Sequence, residues 1–388
     1  MGLNDEYSDR LAGFDTQLAV LRNTKELSWL DDIADEDVDT FVEGLKATYT
    51  TVEIGPAYTP SGYLRSSVQG VWVSWPTPEI GAEPTFPTPP PEINPPPAPS
   101  PEPVPSDLAK FRLGATYFGA VGAVPDAVWQ RDLRLFASYG YNVLRVCMNW
   151  NRNEPSREML VKADGSVDSN LLERFGRFLS GVQLLGMKID ITFFGGDNFN
   201  SFSAHALGLS NLLNQLKAAT SVIYCVDVCN EFEGSGYTAS QVTTLVNTAK
   251  SILPKSPITA SCSGDPTSIA THYGDLYTLG AKLDLVAPHM PRTTDWATEE
   301  GARILSLRSL LTPAGPPLIY MQEEAREGTT SGWSPSACVT AASAAKALKV
   351  TAWNAHTDAA YNLEGAGFFD QLSGPEKSLI PALAGVIG

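Results

Sequence analysis

Two short apolar runs in this 388-residue chain end in carboxyl groups. Ile223-Tyr-Cys-Val-Asp-Val-Cys-Asn-Glu231 is β-branched and too short for a helix, and it breaks off at Phe-Glu-Gly-Ser-Gly. It reads as a buried strand whose tip hands Asn230 and Glu231 to a loop. Pro317-Leu-Ile-Tyr-Met-Gln-Glu323 does the same for Glu323, with Glu324 directly behind it. Side chains alternate along a strand, so only one of these two glutamates can face a given side. Glu323 shares a face with Ile319 and Met321, and Glu324 with Tyr320 and Gln322; Glu323 is the expected partner of Glu231. Two carboxyls brought about 5 to 5.5 Å apart, one protonated and one ionised, are what cleavage of a glycosidic bond with retention of configuration requires. Glu231, partly desolvated beside a second negative charge, is expected to have the raised pKa of the pair.

The elements that must bring these residues together repeat in kind. Strand-like runs are Phe111 to Phe118, Asn142 to Trp150, Lys188 to Phe194, Ile223 to Glu231, Pro257 to Ser263, Leu283 to His289, Pro317 to Glu323 and Lys349 to His356. Clear amphipathic stretches between them include Asp126 to Tyr139, Asn170 to Leu185, Ala204 to Ala219 and Ser240 to Leu253. Strand and helix alternating eight times in some 280 residues predicts an α/β fold, a (β/α)8 TIM barrel. A doubly wound open sheet is the weaker alternative, because Leu113-Gly-Ala-Thr-Tyr-Phe-Gly119 lacks the glycine spacing of a phosphate-binding turn. Residues at the C-terminal ends of barrel strands converge on one mouth. That rule nominates Tyr117, Arg145, Asn149, Trp150, Phe194, Asp197, Asn198, Asn230, His289 and Trp353 beside the two catalytic glutamates. Aromatic rings with an amide, an arginine and a histidine suit a sugar groove. No metal or organic cofactor is needed for that chemistry.

At these positions the chain resembles the large clan of retaining (β/α)8 glycoside hydrolases that includes cellulases and mannanases, over about residues 108–388. Asn142-Val-Leu-Arg145 is similar to the clan's second-strand Asn-x-x-Arg, and Asn230-Glu231 to its fourth-strand Asn-Glu. Pro317 to Glu323 is similar to the seventh-strand run, and Trp353 to the eighth-strand tryptophan of the sugar subsite. The resemblance implies Glu231 as acid/base, Glu323 as nucleophile, Arg145 as its orienting cation and Asn230 as a contact to the sugar 2-hydroxyl. It departs at the sixth strand, where His289-Met-Pro-Arg292 has no tyrosine in place of the clan's His-x-Tyr.

Ahead of the barrel the chain changes character twice. Residues 1–75 are expected to form a small acidic, mainly helical unit, with an amphipathic helix over 4–24, a second helical pattern after it and a strand over 62–75. Residues 1–60 carry 13 Asp/Glu against 4 Lys/Arg, in a chain of net charge −16. Residues 76–106 are a linker: 14 of the 29 prolines fall between Pro76 and Pro105. A segment of that composition is extended polyproline II, about 90 Å long at ~3.1 Å per residue. The front unit is expected to bind a larger assembly or to self-associate.

The acidic balance excludes a phosphate-tracking surface, so no nucleic-acid partner is expected. No run of 18 apolar residues exists to insert into a membrane, and Met-Gly-Leu-Asn-Asp-Glu-Tyr is not a secretory signal. The five cysteines are an odd number and lie mostly in apolar runs, which suits buried free thiols. The expected partner is a polysaccharide or a cell-surface glycan. The expected location is the cytoplasm of the producing cell, or display on a virion or other surface by a non-classical route. A catalytically weak glycan-binding or structural module displayed on a virus particle, and a cytoplasmic glycosidase acting on imported oligosaccharides, are the alternatives.

Overall fold

The computed structural model describes residues 108–122, 124–150, 158–311, 318–360 and 366–387, together with the backbone of 51–55 and 70–74. The expected front helices and the proline linker lie outside the described residues. Strands β1 (Thr51–Gly55) and β2 (Gly70–Ser74) pair antiparallel, and β2 falls within the run predicted as a strand over 62–75.

The remaining strands form the barrel. They are β3 (Arg112–Thr116), β4 (Val143–Cys147), β5 (Lys188–Phe194), β6 (Ile223–Asn230), β7 (Ile258–Thr259), β8 (Cys262–Ser263), β9 (Pro288–His289), β10 (Tyr320–Gln322) and β11 (Ala352–Ala355). Seven of them make one parallel sheet in the order β10-β11-β3-β4-β5-β6-β7. β8 and β9 pair with each other, and a parallel bridge from Val286 to Ile319 ties β9 to β10. β7 and β8 are the two halves of the predicted fifth strand, interrupted at Ala260 and Ser261. Side chains satisfy the backbone there: Asp227 accepts from Ser261 N at 2.9 Å, and the Tyr273 hydroxyl bonds the Ala260 carbonyl while accepting from Ala287 N at 2.9 Å.

The helices packed around the sheet are α1 (Asp126–Ser138), α2 (Ser169–Leu184), α3 (Phe202–Gln215), α4 (Ala239–Ile252), α5 (Pro266–Thr278), α6 (Trp296–Leu311), α7 (Pro335–Ala347), α8 (Phe368–Gln371) and α9 (Gly374–Ile387). Several start where a side chain can satisfy the first free N–H groups. Asp168, Ser201, Thr238, Asp265 and Ser334 each accept such a bond, and Pro266 and Pro335 occupy first-turn positions where no N–H is needed.

The barrel wall sorts its residues by face. Outward side chains such as Leu113, Leu144, Ile191, Val226, Met321 and Trp353 join one apolar layer with the helices. Burying each large aliphatic or aromatic group there contributes about 1.5–3 kcal/mol. Inward side chains grade along the axis. Val143, Tyr224, Cys225, Leu285, Ala287, Tyr320 and Ala352 close the end where the strands begin, with Leu108 against them. Above them sit buried polar groups: Thr116, Arg145, Asp190, Thr192, Asp227, Gln322 and Asn354.

Candidate active site

Three features of the chain turn the site residues inward. The first is a bulge in β6: Thr192 pairs with Asp227 and Phe194 with Asn230, so β6 spends three residues where β5 spends two. Strict alternation would aim Asn230 away from Asp227; the extra residue lets both face the lumen. The second is Glu231 itself, at φ 45° and ψ 58°. This left-handed conformation costs a non-glycine residue about 1–2 kcal/mol. It lets a residue next to inward-facing Asn230 present its own carboxyl to the same cavity. The third is the phase of β10. Gln322 points inward, so Glu324, two residues on, does as well.

The resulting cavity, about 130 Å³, is lined by Phe118, Trp150, Phe194, Asn230, Glu231, Arg292, Glu324 and Arg326. Phe118, Trp150 and Phe194 form one aromatic wall, with ring centroids 4.9 to 5.5 Å apart. Facing it are the two carboxyls. His289 Nδ1 lies 2.9 Å from Glu231 Oε1 and 3.9 Å from Glu324 Oε1. The two oxygens are therefore no farther apart than those distances laid end to end, a span that includes the about 5 to 5.5 Å of a retaining pair. The Glu231 side chain is 37% exposed and that of Glu324 8%.

Arg145 lies beneath, fully buried. It donates from Nη1 to Glu324 at 3.0 Å, from Nη2 to Asn230, and from Nε to Thr192 Oγ1 at 3.3 Å. Asp190 and Asp227 each come within 3.6 Å of it, and its guanidinium stands 5.2 Å from the centre of the Phe118 ring. Around Glu324, burial raises the carboxyl pKa, but His356, His289, Arg145 and Arg292 together outweigh it and hold it down to about 2. Burial pushes His356 itself down to about 4, so at neutral pH the permanent positive charge acting on Glu324 comes from Arg145 and Arg292.

Glu231 differs from the expectation of a raised pKa. Its hydrogen bond with His289 lowers it, against burial and the charge of Glu324, which raise it. His289 is raised in turn: burial opposes its charge, but Glu231 and Glu324 favour it more strongly. The pair thus holds one proton between two groups.

The expected site residues divide. Asn230, Glu231 and Trp150 line the cavity, and Arg145 and His289 support it from below. Asn149 is buried, where its side chain bonds both Phe194 N and Phe194 O, at 2.9 and 2.8 Å, and so fixes the aromatic wall from behind. Glu323 does not line the cavity. It follows Met321 to the helix side, where it accepts from Ala325 N at 2.7 Å and its charge acts on Glu300 of α6. Trp353 follows Met321 too, being its register partner, and is packed in the outer layer. Tyr117 likewise points outward and donates to Asp132 at 2.7 Å among Phe136, Phe178 and Phe368. Asp197 is exposed in a one-turn helix after β5 and does not reach the cavity.

Phe194, also expected, is part of the lining, and the structure adds Phe118, Glu324, Arg292, Arg326 and His356. His356 Nε2 lies 3.9 Å from Glu324 Oε2. Phe118 and His356 stand at the ends of predicted strands and obey the same rule that picked out Phe194 and His289.

No protein-family model and no curated protein sequence matches the chain. Solved structures match its fold. The broad-specificity GH5-4 endoglucanase from Clostridum cellulovorans aligns with a TM-score of 0.52 at 12% identity, over 73% of this chain and 96% of that one. The Pseudomonas stutzeri endoglucanase Cel5A aligns with a TM-score of 0.50 at 11% identity, over 70% and 93%. The exo-β-1,4-mannosidase Op5Man5 from Opitutaceae bacterium strain TAV5 aligns at 15% identity with a TM-score of 0.48, and 54% of its length is covered. The chain has the (β/α)8 fold found among glycoside hydrolases.

Proposed function

We propose that the chain is a retaining glycoside hydrolase acting on a polysaccharide, with Glu324 as nucleophile and Glu231 as acid/base. The observation that carries this reading is the pair of carboxyls meeting at one histidine in an open cavity with an aromatic wall. In the first step the Glu324 carboxylate bonds to the anomeric carbon as the glycosidic C–O bond breaks, and the proton held by Glu231 and His289 passes to the departing oxygen. In the second, Glu231 takes a proton from water, the hydroxide displaces Glu324, and the sugar leaves with its original configuration. Arg145 keeps Glu324 ionised and oriented, and with His289 and His356 it supplies the support that a sixth-strand tyrosine would otherwise give. Asn230, fixed by Arg145, is placed to meet the sugar 2-hydroxyl. Phe118, Trp150 and Phe194 offer flat faces to the apolar sides of sugar rings. The fold likeness to the two endoglucanases fits a polysaccharide substrate.

The test is hydrolysis of a panel of aryl glycosides. Glu231→Gln and Glu324→Gln are each expected to lose at least about 10²–10⁴-fold in turnover, and Glu323→Gln to retain it. Azide added to Glu324→Ala should yield a glycosyl azide of inverted configuration, and added to Glu231→Ala one of retained configuration. Equal loss in Glu323→Gln and none in Glu324→Gln would sink the assignment.

The lowered pKa of Glu231 favours a second reading, a glycan-binding module whose acid is held ionised. Binding on a glycan array without turnover of any glycoside in the panel would select it.

A further inference from the structure

Beneath the two carboxyls runs a line of short hydrogen bonds that the proposed chemistry does not itself require. Asp190 Oδ2 accepts from Gln322 Nε2 at 2.8 Å; Gln322 Oε1 lies 2.8 Å from His289 Nε2; His289 Nδ1 lies 2.9 Å from Glu231 Oε1. Asp190 and Gln322 are fully buried and His289 is 2% exposed, so water does not compete along the line.

The directions follow from donor chemistry. An ionised carboxylate can only accept, so Asp190 fixes which end of the Gln322 amide it meets. The carbonyl end must then face His289, which obliges His289 Nε2 to carry a hydrogen. A competing donor stands nearby: Arg145 Nη2 is 3.5 Å from His289 Nε2, but it already donates to Asn230, and the Gln322 contact is much shorter. With Nε2 occupied, Nδ1 is left to exchange its hydrogen with Glu231. We infer that Gln322 and Asp190 are positioning residues for the acid/base: they hold His289 in the tautomer with hydrogen on Nε2, so that Nδ1 and the Glu231 carboxyl share one proton. This deepens the acid/base reading of Glu231 and rests on it.

The charged and titratable groups that face His289 come from five sides. They are Glu231 after β6, Glu324 after β10, Arg145 from β4, Asp190 from β5 through Gln322, and His356 after β11 through Glu324. Asp227 reaches it only through Arg145. Burial pushes Asp190 up to about 6 against the opposing pull of Arg145, so the arrangement belongs to pH values above that.

The ring itself can be read. The chain has 4 histidines, so the nitrogen shifts of the full-length protein labelled with 15N-histidine resolve each ring, and the signal missing from His289→Asn identifies the one in question. Above pH 6 the His289 Nε2 is expected to stay protonated. Gln322→Leu removes the acceptor, and Asp190→Asn, which can donate to Gln322 Oε1, turns the amide round; each should move the hydrogen of the neutral ring to Nδ1. Gln322→Glu keeps an acceptor opposite Nε2 and should keep the original tautomer.

In kinetics, hydrogen fixed on Nδ1 favours ionised Glu231. The alkaline limb of the kcat/KM profile should therefore move about one pH unit toward acid in Gln322→Leu, a tenfold loss above the limb, and return in Gln322→Glu. A wild-type ring with hydrogen on Nδ1, or a ring signal and pH profile that neither Gln322→Leu nor Asp190→Asn alters, overturns the inference. Absence of turnover in the wild-type protein would instead overturn the proposed hydrolase and leave the ring measurement to decide this one.

Discussion

Arg145 is a buried cation whose surroundings decide what it is worth. With Glu324, Asp190 and Asp227 all within ion-pairing distance, removing it strands negative charge out of reach of water. Arg145→Met is expected to lower stability by about 3–5 kcal/mol, read as a shift of the urea midpoint. Arg145→Lys keeps the charge but not the planar fork that bonds Glu324 and Asn230 at once, and should fall between. Glu231 sets stability against chemistry more directly. Glycine adopts its left-handed backbone without strain, so Glu231→Gly should unfold about 1–2 kcal/mol later than Glu231→Ala, while both lack the carboxyl. At this scale the sequence was only partly legible. Arg145 and Asn230-Glu231 stood out because polar groups inside apolar runs need a reason. Glu323 and Glu324 could not be told apart by pattern, since both faces of a barrel strand are buried and the usual apolar-in, polar-out alternation is lost. Taking apolar Ile319 and Met321 as lumen residues inverted the phase: near the mouth it is the lumen that is polar and the helix side that is apolar. Trp353 and Tyr117 went astray for the same reason. Arg292 and Arg326 come from loops, which carry no period to read.

On the scale of elements, β10 runs straight into two adjacent carboxyls with opposite responses to pH. Glu324, lowered from the usual carboxylate value to about 2, contributes stability that is complete above about pH 4.5 and is lost as the pH falls toward 2. Glu323 is raised to about 7 by burial, opposed by its bond from Ala325 and assisted by the charge of Glu324. Glu300 across from it is raised by burial and by Glu323. Raised carboxyls work the other way: their contribution is complete below about pH 4.5 and lost as the pH climbs through 7. Glu323→Gln should therefore melt higher than the wild type above pH 7, by about 2–4 °C for each kcal/mol relieved, and the advantage should vanish near pH 4.5. Calorimetric scans across that range check it. The strands themselves were legible because their apolar runs end in turn residues. The break between β7 and β8 was not, because the groups that mend it, Asp227 and Tyr273, lie far away in the chain.

At the scale of the whole molecule, the barrel closes through its own strands and builds its cavity from residues between 118 and 326. The expected division of the chain at the proline segment implies that the barrel stands without residues 1–106. A chain starting at residue 107 is expected to melt within about 2–4 °C of the full-length protein and to hydrolyse small aryl glycosides at an unchanged rate; a large loss in either would tie the front region to the barrel. Eight strand-helix units were readable from the alternation of patterns, which is why the architecture came through more faithfully than the site.

Cys147, Cys225, Cys229, Cys262 and Cys338 are unpaired thiols, every one of them buried. Four sit on barrel strands and one on α7, so an aqueous thiol reagent meets none of them until the wall itself parts. The intact protein should thus be silent to Ellman's reagent and label in step with global opening, giving five built-in reporters, spaced around the molecule, of whether the barrel comes apart all at once or one side first.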